Sequence, residues 1–99
     1  MGQREIIIKE SVAESVAEIA WYIESKGMVA TAEKFADNFY DFLVKLSDSR
    51  RTHALCRDPE RSLIGYKCIP YKRKYTIVFL ASDDELIICE FIQSKGIHW

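Results

Sequence analysis

Long hydrophobic runs are missing from this chain. Its longest apolar stretches, Ile6-Ile7-Ile8 and Ile77 to Ala81, are far below the roughly 18 residues needed to cross a bilayer, so no membrane span is expected. The N-terminal residues Met1 to Glu5 lead into only three apolar residues before Lys9 and Glu10, which lacks the apolar core of a secretory signal and predicts a cytoplasmic location. Cysteine and histidine are scarce too. Cys56, Cys68 and Cys89 form an odd set without a C-x-x-C spacing, and His53 and His98 alone could supplement them. That falls short of a zinc donor set, so no metal and no cofactor are expected, and the cysteines read as reduced core thiols. Also missing is the low-hydropathy, high-charge signature of disorder: 48% of residues are hydrophobic and 29% are charged. Residues 1 to 99 read as a single domain able to bury one core.

What is present is a regular succession of patterns. Residues Arg4 to Lys9 carry a β-branched isoleucine run suited to a short strand. Ser11 and Glu14 have the spacing of a capping box, which predicts a helix start there. Val12, Val16, Ile19, Ala20 and Ile23 then recur at helical steps, and Gly27 offers a stop. A second helical stripe contains Val29, Ala32, Phe35, Phe39, Leu43 and Leu46. The short link between the two predicts an antiparallel helical hairpin. From Ser47 to Leu63 no period holds, and the segment reads as a long basic loop. Strands are expected over Gly65 to Tyr71, Tyr75 to Ala81 and Leu86 to Ile92, with Ser82-Asp83-Asp84-Glu85 as the turn of a hairpin. Pro70 belongs at a strand end or sheet edge because it lacks an N–H. The fold class is α+β with the order β-α-α-β-β-β, the N-terminal strand and helical hairpin packing on an antiparallel sheet.

Charge is segregated along the chain. From Met1 to Ser49 five basic residues face nine acidic ones, whereas from Arg50 to Lys74 eight basic residues face only Asp58 and Glu60. Arg50, Arg51, Arg57, Arg61, Lys72 and Lys74, joined by Lys95, are therefore candidates for holding an anionic partner. Trp21 and Tyr22 flank the stripe of the first helix and read as core or interface packing, and the two histidines as exposed polar residues.

The element order, Glu18-Ile19-Ala20-Trp21-Tyr22-Ile23, Ala32-x-x-Phe35-Ala36-x-x-Phe39, and the strands Lys74 to Phe79 and Leu86 to Phe91 together resemble the RelE/ParE toxin superfamily over nearly the whole chain. The resemblance implies the toxin of a type II toxin-antitoxin system (a plasmid stabilisation system toxin), cytoplasmic and neutralised by a cognate antitoxin. Homodimer and heterotetramer with the antitoxin both stay open. ParE-like members poison DNA gyrase; RelE-like members cut mRNA on the ribosome. Under the nuclease alternative, the positions matching the family's catalytic residues are Lys67, Arg73 and His98. However, Gln93 stands where many members carry a histidine, and an amide transfers no proton at neutral pH. With a sequence pI near 6.1, the ribosome-entering reading is disfavoured and the ParE-like gyrase inhibitor is expected. A diverged, non-toxic protein-interaction module is the third reading.

Overall fold

In a computed structural model, residues 3–48 and 52–96 are described. They form an α+β fold in which two helices cover one face of a four-stranded sheet. Strand β1 (Glu5–Ile8) is followed by helices α1 (Glu10–Ser25), α2 (Val29–Leu46) and α3 (Pro59–Ile64), then strands β2 (Lys67–Tyr71), β3 (Tyr75–Ala81) and β4 (Glu85–Gln93) and a 3₁₀ turn at Ser94–Gly96. The first part follows the hydrophobic periods closely. Val12 and Val16 of α1 are buried with Ala32, Phe39, Leu43 and Leu46 of α2, positions separated by three, four or seven residues. Such spacing gives each helix one face for the sheet.

The cap of α1 differs from the expected capping box. The helix begins two residues earlier, with Lys9 at the N-cap and no side-chain cap, and the amides of Val12 and Ala13 donate to the Lys9 carbonyl. Ser11 is already inside the first turn, where its carbonyl accepts from the Ser15 hydroxyl at 2.9 Å. The helix stop is as expected. Gly27 takes φ of 83°, and the Gly27 and Met28 amides close back onto the carbonyls of Glu24 and Ile23.

The sheet order is β1-β4-β3-β2. The expected antiparallel sheet is instead mixed, because β1 joins it parallel to β4, with Ile6 opposite Leu86 and Ile8 opposite Ile88. The two-helix connection supplies the long crossover that a parallel pair needs. The antiparallel pairing of β2 with β3 and of β3 with β4 agrees with the sequence patterns. A bulge interrupts the last pair: Phe79 lies opposite Ile88 but Val78 lies opposite Glu90, leaving Cys89 as the extra residue. It reverses which face the rest of β4 presents. Phe91 and Gln93 thereby join Leu86 and Ile88 on the helix side, while Glu90 turns to the opposite face. The core so formed contains Phe39, Leu43, Ile77, Phe79, Leu86 and Ile88, with Phe35, Tyr75 and Phe91 packed against it.

The segment expected to be an irregular loop contains α3. Pro59 occupies its first turn, and Gly65 ends it in the left-handed region at φ of 98°. Trp21 and Tyr22 do not enter the core, being 70% and 58% exposed. His53, expected to be exposed, is half-buried and meets the Phe79 ring edge-on at 5.0 Å. Two of the three expected free thiols are a disulfide, Cys56–Cys68, and Cys89 is buried and free. No helix among the described residues is long and apolar enough to cross a membrane.

A candidate partner-binding groove at the β2–β3 hairpin

The cations expected to meet a partner are divided by the fold. Lys72, Arg73 and Lys74 form the turn between β2 and β3, and all three are exposed. Lys72 and Arg73 take φ of 53° and 62° in succession. This is the twist a tight hairpin favours, but lysine and arginine adopt it only at an energetic cost that asparagine or glycine largely avoid. Lys95 reaches the same end of the sheet from the 3₁₀ turn, where the Ser94 amide donates to the Lys74 carbonyl at 2.7 Å. The hydroxyls of Ser94 and Thr76 are 3.1 Å apart, a second tie between the 3₁₀ turn and β3.

Arg73, Lys74, Tyr75, Gln93 and Lys95 line a cavity of about 410 Å³. A neighbouring cavity of about 470 Å³ shares Lys74, Tyr75 and Gln93 and adds Glu18, Ile19, Tyr22 and Ile23 from α1. The shared residues join the two into one groove, cationic at the hairpin and lined along the helix by Ile19, Tyr22 and Ile23 with Glu18 beside them. Its floor is rigid: the Tyr75 ring stacks on Phe91 at 4.7 Å and meets Phe35 edge-on at 6.0 Å. Below it, Tyr71 is 3% exposed, and its hydroxyl has no hydrogen-bond partner among the described residues. Burial, and after it the charge of Asp41, raises the Tyr71 pKa above the ordinary value for a phenol.

The residues named for RNA cleavage are not drawn together. Lys67 starts β2, and its ammonium donates to the His53 carbonyl at 3.1 Å. Arg73 lies beyond the other end of that strand, which spans roughly 13 Å at the usual rise per residue. His98, like Arg50 and Arg51, lies outside the described residues. Gln93 is in the groove, directly across from Tyr75.

Arg61 faces inward rather than toward a partner. Its guanidinium grips Glu90 through two hydrogen bonds of 2.8 Å and Asp58 through a third of 2.8 Å. The Glu90 bond, with Asp58 adding to it, raises its pKa still further. Arg57 is exposed and lines a separate cavity of about 460 Å³ with Leu55, Cys68 and Pro70, which extends across β2 to Thr76 and Ser94. Sequence reasoning missed Tyr75, Glu18 and Glu90. A tyrosine directly after three cations is the one signal that pointed to Tyr75.

The fold and groove define a small α+β domain with a cationic, aromatic-floored groove. Among the described residues, no cluster of His, Cys, Asp and Glu is arranged to hold a metal ion. No protein-family model matches the chain, and neither a curated protein nor a solved structure is detectably similar to it.

Proposed function

We propose that this chain is a toxin of the RelE/ParE type, closer to ParE, that acts in the cytoplasm by binding protein and is silenced by a cognate antitoxin. The observation that carries this reading is the groove, where three cations from two elements meet an apolar helix face over a rigid tyrosine floor. Such a surface suits a protein segment that is both acidic and apolar. The succession on which the resemblance rests, a strand, a helical hairpin and three strands, is present with the short α3 inserted before β2, and it supports this reading. The nuclease alternative has less support. Lys67 and Arg73 lie at opposite ends of β2, and the groove contributes an amide, Gln93, where acid-base chemistry needs a titrating group.

Expression of the chain without any antitoxin is expected to arrest bacterial growth, and the purified protein to inhibit DNA gyrase supercoiling or trap cleaved DNA. Normal growth would remove the toxin reading. Growth arrest with unaffected gyrase and mRNA cut at the ribosomal A site would move the chain to the nuclease class.

A further inference from the structure

The disulfide lies where a clip on the outer strand would lie. Ala54 to Cys56 runs beside β2 in the manner of a short extra strand: the Cys56 amide donates to the Tyr66 carbonyl at 3.0 Å, and the Cys68 amide to the Ala54 carbonyl at 3.4 Å. Leu55 bridges antiparallel to Lys67. Those contacts are few, and one is long. Beside them stand the Lys67 bond to His53 and the covalent link from Cys56 to Cys68, whose Cα atoms are 4.7 Å apart. Further along the same strand, Pro70 has no N–H to offer. The clip and the proline thus close the free edge of the sheet in two different ways.

The two sulfurs differ in access. Cys56 is 4% exposed, whereas Cys68 is half-buried and lines the 460 Å³ cavity together with Arg57, a cation able to draw in a thiolate. Cys89 is set apart: it is buried, and burial raises its thiol pKa, which makes it a poor competitor for exchange.

We propose that Cys56–Cys68 is a reversible redox modification site that fastens residues 54–56 to the edge of β2 when oxidised and releases them when reduced by a dithiol. The thiolate of the reductant attacks the Cys68 sulfur, the Cys56–Cys68 bond breaks, and Cys56 leaves as a thiolate. The second thiolate of the reductant then attacks its own sulfur in the mixed disulfide and releases Cys68. Two electrons pass from the dithiol, which ends as a disulfide, and solvent protons neutralise the two thiolates. Release frees the Tyr66 carbonyl and the Cys68 amide, so the edge of β2 becomes able to pair with another extended chain. The proposal does not depend on the toxin reading.

The test uses the full chain carrying Cys89→Ala, compared after oxidised glutathione and after excess dithiothreitol. Alkylation and intact mass should find no free thiol in the first sample and two in the second. Hydrogen exchange at the Cys56 and Cys68 amides should become about tenfold faster on reduction, while the amides of β3 and β4 keep their protection. Cys68→Ser in the same background should match the reduced sample under both conditions. The proposal is overturned if the thiols never pair, if exchange at Cys56 and Cys68 is the same in both samples, or if reduction strips protection from β4 as well. That last result would make the bond a staple of the whole fold rather than a switch.

Discussion

Tyr71 couples the core to alkaline pH. It is a buried phenol, edge-on to Phe39 at 5.9 Å and close to Phe42 and Phe91. Its folded-state pKa is raised by burial, so its contribution to stability is complete below the unfolded value near 10 and is lost as pH rises through the folded value. Tyr71→Phe keeps the ring and removes the titrating hydroxyl. The variant should be as stable as the parent at pH 8 or more so, by up to about 1 kcal/mol, because a buried hydroxyl without a partner carries a desolvation cost. Above pH 10 it should keep stability that the parent loses. Urea midpoints measured across that range decide it, and parallel curves would mean that Tyr71 does not titrate with unfolding. The hairpin makes a second residue-level case. Lys72 and Arg73 hold positive φ at roughly 1 kcal/mol each, so Lys72→Asn with Arg73→Gly should raise Tm by several degrees in a domain of this size. The same change removes two cations from the hairpin tip, so on the toxin reading growth arrest should weaken as Tm rises.

Among the elements, α3 shows how a short helix is held without a buried face. None of its residues is buried, and Leu63 is 91% exposed. Its attachment is the grip of Arg61 on Glu90, across 29 residues of sequence. Arg61→Ala should cost about 1 kcal/mol by thermal melt, a discounted figure because both side chains are partly exposed, and should speed hydrogen exchange in α3 while β3 stays protected. An unchanged α3 would mean that the Schellman-type turn at Gly65 suffices. This pair also marks the limit of sequence reading. The helical hairpin was legible because Val12, Val16, Phe39 and Leu43 repeat at the period of the helix they build, and β2 and β3 because their residues favour a pleated, half-buried surface. The bulge at Cys89 breaks the alternation that would reveal it, so neither the outward turn of Glu90 nor the inward turn of Gln93 could be read beforehand. The parallel pairing of β1, the Cys56–Cys68 bond and the groove all depend on contacts between distant residues, which a local pattern does not encode. Of the candidate binding residues, Lys72, Lys74 and Lys95 lie exposed at one end of the sheet, whereas Arg61 is committed to its own fold.

On the scale of the molecule, a net charge of −1 conceals an uneven distribution of charge over the fold. Exposed acids such as Glu14, Glu33, Asp37 and Asp41 occupy the helices, whereas Lys72, Arg73, Lys74 and Lys95 gather at one end of the sheet. On the reading proposed above, an acidic partner would be drawn to this cationic end before contact. On the toxin reading, reversing Arg73 and Lys74 together to glutamate should abolish growth arrest, because four units of charge change at the mouth of the groove. The cost in Tm should be at most a few degrees, since both side chains are exposed. Reversing Glu33 and Asp37 to lysine changes charge by the same amount on the far layer and should leave arrest intact. If growth arrest follows total charge, both variants will alter it in opposite directions; if it follows the groove, only the first will. Raising salt from 0.05 to 0.5 M should weaken binding of the parent to its target and leave the residual binding of the Arg73/Lys74 variant nearly unchanged, since exposed charges are screened at about 10 Å in 0.1 M salt. A parent insensitive to salt would place the recognition on the apolar wall of Ile19, Tyr22 and Ile23 instead.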